Sequence, residues 1–404
     1  MLKFLTSGES HGPGYVVILE GLPAGLPLTA AIINRDLARR QRGYGAGPRM
    51  KLERDRAHIL GGVLEGRTTG APLGLWIANH NHRQWQGKAI APMTVPRPGH
   101  ADLTASLKYA YPDLRPALER ASARETVARV AVGAVCRHLL AQFGIRIGGY
   151  VRAIGQAEAP PDDLSLEARA QNAENNDVRA PNPAAAEAFR QEIQAAIQAR
   201  DTVGGVVEVF ASAVPAGLGS HVHWERRLDA RLAAAMLSIP SAKGVEIGEA
   251  FANARRRGTQ AHDPIHIAPD GTLHRPTNRA GGLEGGITNG QPVVVRVAFK
   301  PIATTLTPQP SADLLTGQPT PTRYERSDFC HVPRAVPVAE AMLAFVLADA
   351  LLERLGGDTL ETLQARFAAL PALHRTAFRL DGQPHAWWPA DSAPDLPPET
   401  SQEP

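Results

Sequence analysis

Apolar residues recur along this chain with two different periods, and each period predicts its own set of elements. Tyr15 to Leu22 (Y-V-V-I-L-E-G-L), Val203 to Val214 and Gln291 to Lys300 (Q-P-V-V-V-R-V-A-F-K) are short apolar runs bounded by turn residues, the signal of strands. Ile59 to Asn79 carries the same signal, broken by turns. Helical spacing predicts helices over Thr29 to Arg42, with Thr29 as N-cap and Gly43 as stop, over Pro183 to Arg200, and from Leu228 to a stop at Pro240. The clearest helix is Ser122 to Phe143. There Ser122-x-x-Glu125 reads as a capping box, and Val127, Val130, Ala131, Ala134, Val135 and Leu139 form one apolar face. Ala335 to Leu352 is the most apolar stretch, but it holds Glu340 and Asp349 and is short for a membrane span, which predicts a buried core helix. A short helix follows Gly356.

Between these elements lie segments without periodicity. Asn79 to Arg120 reads as one long loop, and a loop of that length points to function. Gln156 to Asn182 is polar and turn-rich, as expected of a surface excursion. Asp381 to Pro404 is Pro-rich and expected to be a disordered tail despite Trp387 and Trp388. Leu64-Glu65-Gly66 with Thr69, Gly70 and Pro72 is echoed about 220 residues later by Leu283-Glu284-Gly285 with Thr288, Gly290 and Pro292. Each copy leads into an apolar strand, which predicts two related halves within one domain over residues 1–380.

Composition narrows the function. The 404 residues are 43% hydrophobic, ample for a core, and the formal net charge is only +3. With no Lys/Arg run and no basic stripe interleaved with aromatics, long nucleic acid is an unfit partner. Cys136 and Cys330 have no CxxC or metal-ligand spacing, the usage of a reducing, cytoplasmic compartment. No metal site is expected. The opening M-L-K-F-L-T-S-G lacks the apolar run of a signal peptide.

Candidate chemistry centres on two histidines in glycine-bracketed loops. They are His11 in G-E-S-H-G and His100 in P-R-P-G-H-A-D. A histidine on a stiff turn can exchange protons near neutral pH, although each also fits a plain turn or hydrogen-bonding residue. Arg39, Arg40, Arg42 and Arg49 gather around a Gly-rich stretch, as a solvated basic helix end or as an anion clamp. Arg120 and Arg124 fall at the start of the Ser122 helix, where free N–H groups favour anions. Walker and Rossmann fingerprints are absent. Residue by residue, this describes a soluble α/β enzyme for a small polyanion.

The motifs in order say more. G-E-S-H-G, R-P-G-H-A-D, R-x-S-A-R-E-T, K-G-V-E-I-G, G-G-x-x-G-G-x-x-x-G-Q-P, K-P and R-S-D-x-C together resemble the chorismate synthase family over roughly residues 1–355. The resemblance implies an α/β sandwich of antiparallel sheets enclosing helices, with an approximate internal two-fold repeat. It implies a carbon–oxygen lyase that removes phosphate and a ring proton from 5-enolpyruvylshikimate 3-phosphate by 1,4-elimination, giving chorismate in the shikimate pathway. Reduced FMN is the implied cofactor, with NADPH at most an indirect reductant. An external flavin reductase or other source of reduced flavin is implied, as is a homotetramer.

By the same resemblance His11 would protonate or stabilise the reduced flavin, His100 would act as general acid on the departing phosphate, and Asp328 would work with the flavin in removing the ring proton. Ser10, Arg40, Arg49, Arg97 and Arg124 would hold substrate anions. Arg40, Arg120, Ala121, Ser122, Pro240, Ser241, Gly285, Lys300, Pro301, Ile302, Ala303, Thr304 and Arg326 would meet the cofactor. Two positions depart from the family pattern, Ala46 where arginine is usual and Ala121 where serine is usual. A non-catalytic flavin- or phosphate-binding protein would keep the arginines and glycine loops without needing both histidines and Asp328. Another enzyme acting on the same substrate would not depend on FMN.

Overall fold

The computed structural model describes residues 2–46, 55–324 and 327–387. In the first half of the chain β1 (Lys3–Ser7), β2 (Gly14–Glu20), α1 (Ala30–Gln41), β3 (Ala57–Gly61), β4 (Val63–Leu64), β5 (Arg67–Thr68) and β6 (Leu73–Ala78) are followed by α2 (Asp102–Tyr109), α3 (Arg115–Arg120) and α4 (Thr126–Ala141). Next come β7 (Arg146–Ile154), β8 (Ala157–Glu158), α5 (Leu166–Glu174), α6 (Pro183–Gln198), β9 (Gly205–Ser212), α7 (Leu228–Leu237) and β10 (Ala242–Ile247). After α8 (Ala250–Asn253) and α9 (Gly258–Ala261) lie the short pairs β11 (His266–Ile267) with β12 (Leu273–His274) and β13 (Leu283–Glu284) with β14 (Ile287–Thr288). The chain then forms β15 (Val293–Phe299), β16 (Pro310–Asp313), β17 (Gln318–Pro321), α10 (Val332–Leu355) and α11 (Leu360–Ala368).

Two antiparallel sheets enclose the central helices. One runs β1-β2-β6-β3 and the other β10-β15-β9-β7-β8. Each sheet turns one row of side chains inward, as a strand period of two requires. In the first that row is Tyr15, Val17 and Leu19 with Leu73, Leu75 and Ile77. In the second it is Val207, Val209 and Ala211 with Val293, Val295 and Val297. Between the sheets α4 and α10 pack on each other, and α10 also reaches β7, β9, α1 and α7. Helix α10 is apolar on every side, which suits a helix surrounded by protein. It is the one helix among the described residues long and apolar enough to cross a membrane, and 83% of its most apolar window is buried here. Its two buried acids are met, Glu340 by Arg39 and Arg137, and Asp349 by Arg231 and the Leu2 N–H.

The sheets repeat one plan, with β7-β9-β15-β10 matching β1-β2-β6-β3. The repeat extends to single hydrogen bonds. Thr68 Oγ1 donates to Pro23 O (2.6 Å) and accepts from Leu26 N (2.9 Å), while Thr288 Oγ1 donates to Pro215 O (2.7 Å) and accepts from Leu218 N (2.8 Å). Both latches sit in a Pro-Ala-Gly-Leu segment, a second echo that the periodicity reading did not use. The partner of Thr288 is therefore Thr68 rather than Thr69, and Val63 rather than Leu64 stands where Leu283 does, because Val63↔Thr68 and Leu283↔Thr288 are the paired residues.

Other expectations are corrected. Asn79 to Arg120 is not one loop, since a 3-10 turn (His80–Gln84), α2 and α3 lie within it. Helix α2 leaves Leu103 and Leu107 exposed and so shows no inward apolar stripe to read. Gln156 to Asn182 holds α5 and buries Val178, Arg179 and Ala180, so it is only partly an excursion. The capping box is not closed: Ser122 Oγ accepts from Arg124 N, Glu125 turns to Arg129 at 2.8 Å, and the first turn is 3-10. Of the tail, residues 381–387 are exposed coil and the rest lies outside the described residues.

Candidate active site

The first histidine is held by its own hairpin. Between β1 and β2 the chain turns through Gly8 at φ +136°, where a Cβ would lie 2.5 Å from Gly14 O, so the tight turn requires glycine. Asn79 Nδ2 donates to the carbonyls of Ser10 and Gly12, both at 2.9 Å. Glu119 of α3 receives the His11 backbone N–H at 2.7 Å and its Nδ1 at 2.6 Å. The ring also packs on Trp85, with centroids 4.2 Å apart. Burial alone would raise the Glu119 pKa, but the hydrogen bonds and charge of His11 outweigh it and hold the carboxylate below its ordinary range.

The second histidine sits just before α2. Asp102 stands 2.5 Å from His100 Nδ1 and takes Arg97 Nε at 2.7 Å and Arg97 Nη2 at 2.9 Å. Arg97 Nη1 reaches Thr304 Oγ1 at 3.1 Å. Burial pushes the Asp102 pKa up, and the hydrogen bonds from His100 and Arg97 pull it well below the carboxylate range. Asp102 is ionised at neutral pH. Much of Arg97's donor capacity is committed inside the protein, to Asp102 and Thr304.

Two further clusters complete the lining. Arg40 from α1 and Arg124 ahead of α4 converge on the buried Asp55, which Arg124 grips at 2.6 and 3.0 Å. Arg40 also donates to Thr126 Oγ1 (3.0 Å) and Ala123 O (3.2 Å), and Ser122 Oγ meets Ser10 Oγ at 3.2 Å. On the other side Arg334 pairs with Asp328 and donates to Arg40 O at 3.2 Å. His331 Nε2 is 2.7 Å from Ser241 Oγ, and Ser241 takes the left-handed φ of +70°. The Ser241 hydroxyl donates to Pro240 O at 2.5 Å and so accepts from His331 Nε2–H. This leaves His331 Nδ1 as a buried lone pair without a partner among the described residues.

Burial lowers the His331 pKa from its ordinary 6.5 to about 4; Asp328 raises it, and Arg334 and Lys300 lower it further. The sign of the pH effect follows. At pH well above 6.5 the imidazole is neutral whether the chain is folded or not. As pH falls from 6.5 toward 4 the unfolded chain takes up a proton that the folded chain refuses, so stability is lost across that window, up to about 3 kcal/mol from this group. Urea midpoints measured between pH 7 and pH 4 are expected to show this loss, and His331→Phe should remove that component.

These groups line one cavity of about 680 Å³. Ser10, His11, Arg40, Arg97, His100, Ala121, Ser122, Arg124, Pro240, Ser241, Lys300, Ile302, Ala303, Thr304 and Asp328 are all on its wall. Three sequence candidates are not. Arg120 turns away to Gly8 O and Thr6 O at 3.2 Å, Pro301 is absent from the lining, and Gly285 occupies the turn between β13 and β14, nearest His221. Arg49 and Arg326 lie outside the described residues. Sequence reasoning missed Glu119, Asp55, His331 and Arg334. Glu119 fell in a stretch read as loop, and His331 and Arg334 were hidden at the start of an apolar helix.

The lining carries five Arg or Lys residues and one carboxylate among the described residues, with an apolar wall of Leu118, Ile239, Phe299, Ile302 and Val338. That lining, within an α/β sandwich, has the charge and apolar surface of an enzyme site. The chain belongs to the chorismate synthase family, whose model matches residues 2–352. It is 52% identical to the chorismate synthase of Symbiobacterium thermophilum over 381 residues, covering 91% of this chain and 97% of the relative. It is 51% identical to that of Aquifex aeolicus over 385 residues, covering 91% and 96%. A crystal structure of chorismate synthase shares its fold at a TM-score of 0.74 and 46% identity, over 91% of this chain and 96% of that one.

Proposed function

We propose that this chain makes chorismate from 5-enolpyruvylshikimate 3-phosphate by 1,4-elimination of phosphate, as a carbon–oxygen lyase of the shikimate pathway. The observation that carries this reading is the pair of histidines, each backed by a carboxylate, on one cation-lined cavity. Arg40, Arg124 and Lys300 suit a substrate with two carboxylates and a phosphate. Burial, with Lys243 nearby, holds the Lys300 pKa below its ordinary value, as for a cation waiting for an anion.

The residues fit reduced FMN. The apolar wall matches a flat ring system, the cations match its phosphate, and the unpartnered His331 Nδ1 is an acceptor for a ring N–H. Ala121, Ser122, Pro240, Ser241, Lys300, Ile302, Ala303 and Thr304 would hold it, with Arg120, Pro301, Gly285 and Arg326 as the sequence resemblance adds. When bound there, reduced FMN would supply electron density for C–O cleavage in a reaction with no net redox change. His100 donates a proton to the departing phosphate, Asp328 takes part in receiving the ring proton, and His11 keeps a proton oriented toward the cofactor. NADPH would act only through an external flavin reductase.

The outer face of the first sheet leaves Leu5, Ile18 and Leu60 exposed, which supports self-association into the homotetramer expected from the resemblance. A cytoplasmic site fits two buried thiols; burial pushes that of Cys330 up to about 12. The deciding assay mixes the protein with the substrate anaerobically, with and without chemically reduced FMN, and follows chorismate absorbance. Product only with reduced FMN is expected. FMN bound without product would leave a binding protein instead.

A further inference from the structure

Asp102 is fully buried, and it stands behind His100 rather than on the cavity wall. Besides the imidazole and the Arg97 guanidinium it accepts the Arg97 backbone N–H at 3.1 Å, so one carboxylate ties together both ends of the loop that carries His100. An ionised carboxylate 2.5 Å from Nδ1 fixes the proton on that nitrogen. Nε2 is then the nitrogen that exchanges a proton. The other charges nearby among the described residues are both positive: Arg97 Nη2, 3.1 Å from the same Nδ1 and so a charge contact rather than a donor once Nδ1 carries the proton, and Lys300 just after β15, whose Nζ would be 3.6 Å from a Cβ on Gly99. Two cations oppose a third charge on His100, and Asp102 is the group that balances it.

We propose that Asp102 is a positioning residue that fixes the His100 tautomer and steadies its imidazolium for proton donation to the leaving phosphate. This rests on the proposed elimination. The C–O bond breaks with its electron pair going to the phosphate, the proton passes from His100 Nε2 to a phosphate oxygen, the ring proton leaves toward Asp328, and the electrons of the lost C–H bond form one double bond while the existing ring double bond shifts to the carbon that lost phosphate. His100 ends neutral and Asp102 stays ionised throughout.

The test compares Asp102→Asn, Asp102→Glu, His100→Ala and the His100→Ala/Asp102→Asn double variant in anaerobic assays with reduced FMN across pH. Asp102→Asn is expected to lower kcat about 10–100-fold, the scale for a residue that orients a reacting histidine. The limb on which activity falls with rising pH should move to lower pH. In the His100→Ala background the same change should cost nothing further. Asp102→Glu, which keeps the charge, should recover the pH profile in part. A raised KM with an unmoved profile would overturn the proposal, because Asp102 would then serve Arg97 alone. So would a full additional loss in the double variant. Should Asp102→Asn fail to fold, the pH profile of Asp102→Glu decides in the same way, and an unmoved limb counts against the role. An inactive wild-type protein would instead sink the underlying reaction.

Discussion

Replacing His100 with alanine is expected to lower kcat by about 10²- to 10⁴-fold while reduced FMN still binds, the span typical of a lost general acid. The side chain lies on the cavity, and its charged partners Arg97 and Asp102 are held by each other when the ring is gone. The loop therefore keeps its shape, and the loss falls on the chemical step rather than on folding. Flavin fluorescence titration against chorismate formation separates the two. Unchanged kcat would remove His100 from the chemistry, and lost binding would make it a structural residue of the pocket.

The second large effect concerns stability. Gly133 is where α4 and α10 cross. A Cβ there would stand 2.2 Å from Ala341 Cβ and 2.3 Å from Ala341 Cα. Neither atom can swing aside, since one is backbone and the other is fixed to it. Gly133→Val must therefore part the two central helices and is expected to cost at least about 3 kcal/mol, the upper range for overpacking. Thermal melting should show a drop of several degrees. Ala341→Gly in the same chain should restore only part of it, because the clash with the backbone of residue 341 remains. An unshifted melting curve would mean that the helices do not approach so closely.

How much of this was legible differs from element to element. The strands through Tyr15, Val209 and Val295 declare themselves as short apolar runs bounded by turn residues, and the helix through Val130 by apolar residues at helical spacing. Helices α2 and α3 do not, because they wrap the site and have little apolar face to bury. Both histidines and half of the cavity lining could be read from glycine-bounded motifs and family resemblance. Glu119 and Asp55 could not, since each acts on residues far away in the chain, 108 residues for Glu119 with His11 and 69 for Asp55 with Arg124. No spacing rule connects such partners. Gly285 shows the converse, a position the resemblance assigned to the cofactor that the fold of one chain keeps off the cavity wall.

Helix α10 has a consequence for the order of assembly. It fills the space between the two sheets, yet it spans Val332–Leu355 and is synthesised after both sheets. Until it emerges from the ribosome, the inward sides of β7 and β9 and one side of α4 lack the helix that covers them. From the completion of β9 until then the nascent chain holds that apolar surface open, a state exposed to aggregation and suited to chaperone capture. The core closes late, when α10 docks on layers already made and α11 follows it.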